Sequence, residues 1–537
     1  MTTSGDTQNP KDAPKAGLKS AEDALSELKA HQAVVSDLSQ AQAVLSWDEN
    51  VYLPAGAAAA RGQQLATLSK VIHERATDPR IGEWLELLES SNAADTKADT
   101  DTKADTDTDK TALLRETRRG FDHATKLPGE FVETFTRARS AAQSAWVGAR
   151  AASDFSQFAP HLEKMVELNL RHADFLGFEL HPYDALHDLY EPGSSTDKVR
   201  AVFAELRDAT VPLVRDIAER GRDVSDAPVR QTFPEAEQEA FGVRMAAAFG
   251  YDFEHGRLDR TVHPFATSFS KYDVRITTRY EPGFLNPALF GTLHEAGHAM
   301  YEQGISSDYD RSVLGQAVSL GIHESQSRLW ENLVGRSRGF WRWAYPQLQE
   351  TFPEQLGGVS QDDFYAAVNK VEPSLIRVEA DEVTYNLHVM VRFELELALL
   401  EGALKVSELP EAWNAKYKEY LGVVPPNDAE GCLQDIHWSI GMMGYFPTYT
   451  LGNIMSVQLF EAAKAAQPTL ETDLEQGRFD GLLGWLRENV HEHGSRYQPT
   501  ELLKRATGSD LDAGPYVAYL NKKFRALYGV EGDGADK

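Results

Sequence analysis

Cysteine is almost absent. Cys432 stands alone among 537 residues, which excludes an intramolecular disulfide. Nothing around it would activate a thiolate, so it reads as a small packing residue. Long apolar runs are missing too, and none is long enough to cross a bilayer. Positive charge is scarce: 54 Lys and Arg face 82 Asp and Glu, a net charge of −28. That balance argues against nucleic acid as a partner and favours solubility. The opening MTTSGDTQNPKDAPKAG has no apolar signal core. Residues 1–17 therefore read as a disordered polar tail, with the cytoplasm as the expected compartment.

What is present is mostly helical. Leu18, Ala21, Ala24, Leu25 and Leu28 begin an apolar stripe, which resumes in QLATLSKVIH after a break at Pro54 and Gly56. Asp48, beside Trp47, reads as a capping or turn residue. TKADTD occurs twice within residues 96–107, in an acidic low-complexity insertion at about 92–111 that predicts a solvated loop. Further amphipathic helices follow, one from about Thr196 as cap with Pro212 as a kink. The period then changes: HPFATSF, KYD and VRITTRY alternate like a β-hairpin, which ends shortly before the next motif.

That motif is GTLHEAGHAMYEQG, Gly291 to Gly304, with His294, Glu295 and His298 in the H-E-x-x-H pattern. Residues four apart lie on one helix face, so two imidazoles can converge on one cation. Zn2+ suits such a set when a third protein ligand leaves one position open for water; another divalent ion such as Co2+ is the alternative. Downstream, GIHESQSRLWEN offers Glu324 as that third ligand. His323 competes for the role, but helix neighbours do not share a face. The metal site is therefore predicted to be His294, His298 and Glu324, with Glu295 as general base. A hairpin edge beside it would let an extended peptide add as a further strand. Two more clusters are too polar for simple core. SLIRVEADEVTYNLHVMVRFELELALL places Arg377, Glu379, Asp381, Glu382 and His388 on a predicted long helix. GCLQDIHWSIGMMGYFPTYTLGN brings Gln434, Asp435, His437, Tyr445 and Tyr449, whose imidazole and phenols suit a developing oxyanion.

Together HPF (His263 to Phe265), DVRIT (Asp273 to Thr277), HEAGH, HESQ (His323 to Gln326), IRVEAD (Ile376 to Asp381) and GCLQDIHW (Gly431 to Trp438) resemble the M32 metallocarboxypeptidases, the carboxypeptidase Taq type. The order and spacing are similar, WDENVYLPAGAAAARGQQLATLSKVIHE resembles that family's opening helices, and the likeness covers about residues 18–530. The resemblance implies a mostly α, zincin-like fold with a deep active-site groove and a small β-hairpin or sheet beside the HExxH helix. It also implies one catalytic domain over 18–537, with N-terminal helices over 18–150 and the helical body over 151–537. The implied activity is release of single residues from peptides with a free C-terminal carboxylate, with broad preference, by a protein that is often a homodimer. Within that frame His437 or Tyr445 is expected to supply a donor that stabilises the oxyanion. Arg377, then Arg275, is expected to hold the substrate carboxylate, since a guanidinium fork matches it in two parallel bonds. An internal ion pair with Asp273 or Asp381 is the alternative for either arginine. His263, Asp273, Gln434 and Asp435 are expected to shape the pocket or orient ligands. A helical zinc endopeptidase and a binding protein with an idle metal are the rival readings.

Overall fold

The computed structural model describes residues 20–98 and 108–530. Helices dominate, and one small sheet interrupts them. The first layer is α1 (Ala21–Val51), α2 (Ala58–Ala76), α3 (Pro79–Ala98) and α4 (Asp109–Lys126). Leu28, Ile81, Trp84, Leu85, Leu88 and Leu114 form a small apolar cluster there, apart from the main core. Ser20 caps α1 through its side chain, as expected of a serine before an apolar-periodic run. Asp48 is neither cap nor turn. It lies in the last turn of α1 and pairs with Arg61 at 2.8 Å.

The polar tail over 1–17 lies outside the described residues, as does most of the acidic repeat. Of the loop predicted at about 92–111, the residues up to Ala98 continue α3 and those from Asp109 belong to α4; Ala93, Ala94, Lys97 and Ala98 are good helix formers. The helix Thr196–Arg220 runs through Pro212, and its cap is Ser195. Thr196 turns instead to the Asp184 carboxylate at 2.6 Å.

The predicted hairpin is present as β2 (Ala266–Ser270) and β3 (Asp273–Thr278), antiparallel, with a register irregularity between Ser268 and Ser270. A third strand, β1 (Gly256–Arg260), pairs parallel to β3, giving the order β1-β3-β2. GRLDR carries too few apolar residues to stand out as a strand by itself. Central β3 buries Val274 and Ile276 completely and lies against the HExxH helix, Asn286–Gly304. That helix opens on Asn286-Pro287 and ends at Gly304 as the sequence predicts. It is buried nearly all round, since β3, the helix Glu235–Phe249 and the HESQ helix (Leu320–Arg328) enclose it.

The HESQ helix is closely packed between its neighbours. Ser319 caps it, accepting from the Ile322 amide at 3.1 Å, and the chain continues as a π-helical turn over Leu329–Val334. Two glycines admit it between its neighbours. A Cβ on Gly297 would stand 2.7 Å from the Gln326 carbonyl oxygen and the Ser327 Cα; one on Gly452, in the helix Pro447–Ala466, would stand 2.6 Å from Glu324 Cβ and Cγ. Such contacts require backbone to move.

Replacing Gly297 with Ala should therefore cost about 1–3 kcal/mol as overpacking and lower the thermal midpoint. Gly62, inside α2, has open space around it; its replacement by Ala should instead stabilise by up to about 1 kcal/mol. Paired melting curves check both, and equal midpoints would contradict the close packing.

Candidate metal centre

His294 and His298 project from one face of the HExxH helix, and Glu324 meets them from the HESQ helix. Their ligand-type atoms all lie within 4.8 Å of one another. Glu324 Oε2 is 3.7 Å from His294 Nε2 and 3.3 Å from His298 Nε2. Donor atoms held about 2.0–2.1 Å from a tetrahedral ion stand about 3.4 Å apart. The three residues thus stand close enough to hold one divalent cation.

The surrounding charges point the same way. Glu324 Oε1 accepts from Arg328 Nε at 2.7 Å, and Oε2, which accepts from Ser327 Oγ at 3.1 Å, faces the histidines. Burial opposes its ionisation, but Arg328 and His294 hold its pKa well below the usual carboxylate value. His294 Nδ1 donates to Glu331 Oε2 at 3.0 Å, fixing its tautomer with Nε2 as the free ligand atom. Glu331 also receives Arg328 and Arg336 at 3.2 and 3.3 Å. Burial disfavours a charged His294, yet Glu324 and Glu331 still raise its pKa, so the site calls for positive charge. Burial, then the neighbouring His323, pushes His298 down to about 3, which keeps it the neutral imidazole a metal requires. Glu295, between the two histidines, is buried, and that burial raises its pKa to about 7.

A cavity of about 810 Å³ opens onto this group and is lined by His294, Glu295, Glu324, Glu331, Arg377 and His263 among others. Tyr385 and Tyr449 are the tyrosines that line it; His437 and Tyr445 are not among the lining residues. His437 Nε2 instead lies 3.2 Å from Tyr449 Oη, and burial lowers its pKa to about 3. Tyr445 precedes the helix Pro447–Ala466, whereas Tyr449 lies in its first turn and faces the cavity.

The expected substrate arginines separate. Arg275 does not line the cavity. It forms two 2.8 Å bonds with Asp273 and stacks on Trp47 and Phe269, 4.3 and 4.9 Å from the ring centres. Arg377 lines the cavity but not from a long helix. Arg377–Glu379 is a 3-10 turn, and the helix starts at Tyr385. Asp381 interrupts it by accepting the Val383 and Thr384 amides at 2.9 and 3.0 Å. The ion-pair partner of Arg377 is Asp435, at 2.8 Å, rather than Asp381. Asp435 also pairs with the fully buried Arg392 at 2.6 Å. One carboxylate between two guanidiniums leaves a surplus positive charge, and Arg377 presents it to the cavity. Gln434 accepts from the Arg377 amide at 2.9 Å and donates to the Leu375 carbonyl at 3.0 Å, so it holds the turn rather than touching the cavity. Sequence reasoning missed Glu331 and Arg328. Their spacing from Glu324, seven and four residues along one helix, was the available signal.

Comparison with known proteins agrees with this geometry. The sequence profile of the Carboxypeptidase Taq (M32) metallopeptidase family matches residues 27–524. Thermostable carboxypeptidase 1 of Thermus thermophilus is 44% identical over 502 residues, covering 92% of this chain and 96% of the relative. Carboxypeptidase 1 of Bacillus subtilis is 39% identical over 494 residues, with the same coverages of 92% and 96%. The crystal structure of an M32 carboxypeptidase from Deinococcus radiodurans R1 superposes with a TM-score of 0.89 at 44% identity, covering 94% of this chain and 100% of that one.

Asp435→Asn should leave Arg377 and Arg392 as an uncompensated buried pair and destabilise the protein by about 3–5 kcal/mol. Urea unfolding measures it, and an unchanged midpoint would show that the trio carries no such balance.

Proposed function

The chain belongs to the carboxypeptidase Taq (M32) metallopeptidases and is a metallocarboxypeptidase; from that premise we propose how it works. His294, His298 and Glu324 hold one divalent cation, Zn2+ first, with Co2+ as the alternative. The observation that carries this reading is the pair of distances from Glu324 Oε2 to the two imidazoles, 3.7 and 3.3 Å, which gather three ligand-type atoms at one point. Such an ion, when bound, activates water near neutral pH and polarises the scissile carbonyl.

Everything else falls to side chains. Glu295 is the general base. Its raised pKa, about 7, suits a carboxylate that takes a proton from water and returns it to the leaving amine. Tyr449, a neutral phenol on the cavity wall, donates to the oxyanion, and His437 behind it fixes the hydroxyl. Arg377 meets the substrate's terminal carboxylate, and the surplus charge of the Arg377–Asp435–Arg392 trio supports that role. The loop through His263 and Pro264 lines the cavity and leads into edge strand β2, which suits an extended peptide lying alongside. We extend the reading, on the family resemblance, to broad C-terminal preference, a single catalytic domain over 18–537, a cytoplasmic setting and a homodimer.

Release of amino acids from a blocked dipeptide with a free C-terminus should disappear on chelation and return with Zn2+ or Co2+. Glu295→Gln should lower kcat by about 10²–10⁴-fold, and Tyr449→Phe should cost about 3 kcal/mol in the barrier. The C-terminal amide of the same peptide should resist. Rapid cleavage of the amide would remove Arg377 from its assigned role, and full activity in Glu295→Gln would remove Glu295.

A further inference from the structure

The two imidazoles of the centre are not oriented alike. His294 has the usual arrangement: its outer nitrogen donates to a carboxylate, Glu331 Oε2, at 3.0 Å. His298 has no counterpart. Its Nδ1 is buried and has no hydrogen-bond partner among the described residues. A ring that can turn about χ2 does not present Nε2 in one direction unless something else fixes its plane. The ring of His323 lies against it, with centroids 4.4 Å apart and planes 15° from parallel. His323 is itself anchored: its Nε2 donates to Glu302 Oε1 at 2.9 Å. Tyr301 covers His323 further, with centroids 5.5 Å apart. Glu302 stands one helical turn after His298 on the same helix, so the clamp closes on the element that carries the ligand.

We propose that His323 is a positioning residue, whose ring, stacked on His298 and tethered to Glu302, sets the direction in which His298 presents Nε2. The inference rests on the assignment of His294, His298 and Glu324 to a metal ion. It gives His323 a task other than the ligand role for which it competes in the sequence, and one that its face, rather than its nitrogens, performs on His298. A stacked aromatic supplies a plane but no acceptor, so a phenyl ring should substitute for it where a small side chain cannot.

Zn2+ and Co2+ affinities, measured by competition with a chromophoric chelator, test this, together with the visible spectrum of the Co2+-loaded protein. Wild type should bind either ion. His323→Ala should bind about 10–100-fold more weakly, the range for losing an outer partner of a ligand, with a shifted Co2+ band. His323→Phe should stay close to wild type in affinity and spectrum. Glu302→Ala, which keeps the stack and loses the tether, should fall between them. Wild-type affinity and spectrum in His323→Ala would overturn the proposal, and so would a loss in His323→Phe as large as in the Ala variant. If His323→Ala does not fold, the Phe variant decides alone: near wild-type binding supports the stack and a large loss overturns it. Failure of wild type to bind either ion would overturn the metal assignment and this inference with it.

Discussion

The centre depends on one close approach. The HESQ helix passes the HExxH helix at Gly297 and the helix Pro447–Ala466 at Gly452, both so near that a methyl group would meet backbone or the stem of Glu324. Glu324 reaches the two histidines from a short helix wedged between two others, and its position is a consequence of backbone packing. The residues that fill this seam are small or polar: Ser325, Gln326 and Ser327 are fully buried. Each finds a partner inside it, such as the Ile322 carbonyl for Ser325 at 2.6 Å and His491 Nε2 for Gln326 at 2.9 Å. A seam of large apolar side chains would keep the helices farther apart, since packed interaxial distances follow the side chains at the contact.

Charge is handled with the same economy of space. Glu295, Glu324 and Glu331 are buried within one site. Arg328 and Arg336 neutralise part of that charge from the outside, leaving the inner face of the site electronegative. On the other side, two arginines share Asp435 and leave the cavity wall electropositive. The cavity therefore has one pole suited to a cation and another suited to a carboxylate.

Much of this was legible in the sequence because it is local. The HExxH helix, its Pro287 and Gly304 boundaries, the hairpin and Glu324 each follow from periodicity or spacing within a short stretch. What was not legible is what chain reversals bring together. Asp435 joins Arg377 across 58 positions, and nothing in either motif names the other. Tyr445 and Tyr449 are equivalent by composition, and only the folded chain, in which Tyr445 precedes the helix and Tyr449 lies in its first turn, makes the second face the cavity. Arg275 and Arg377 are equally good carboxylate binders on paper, and the environment separates them: one is stacked on Trp47 and tied to its neighbour, while the other lies at the cavity.

The same reasoning explains why the helix predicted through Arg377 breaks before Tyr385. A regular helix over IRVEADEV would carry Arg377 and Asp381 on one face, four residues apart, where they would satisfy each other. Asp381 spends its carboxylate on the Glu372, Val383 and Thr384 amides instead, at 3.1, 2.9 and 3.0 Å. That leaves the guanidinium of Arg377 to Asp435, which it must share with Arg392. A carboxylate bound to one arginine alone would cancel its charge. Breaking the helix thus frees Arg377 from Asp381 and leaves its positive charge only partly balanced beside the cavity.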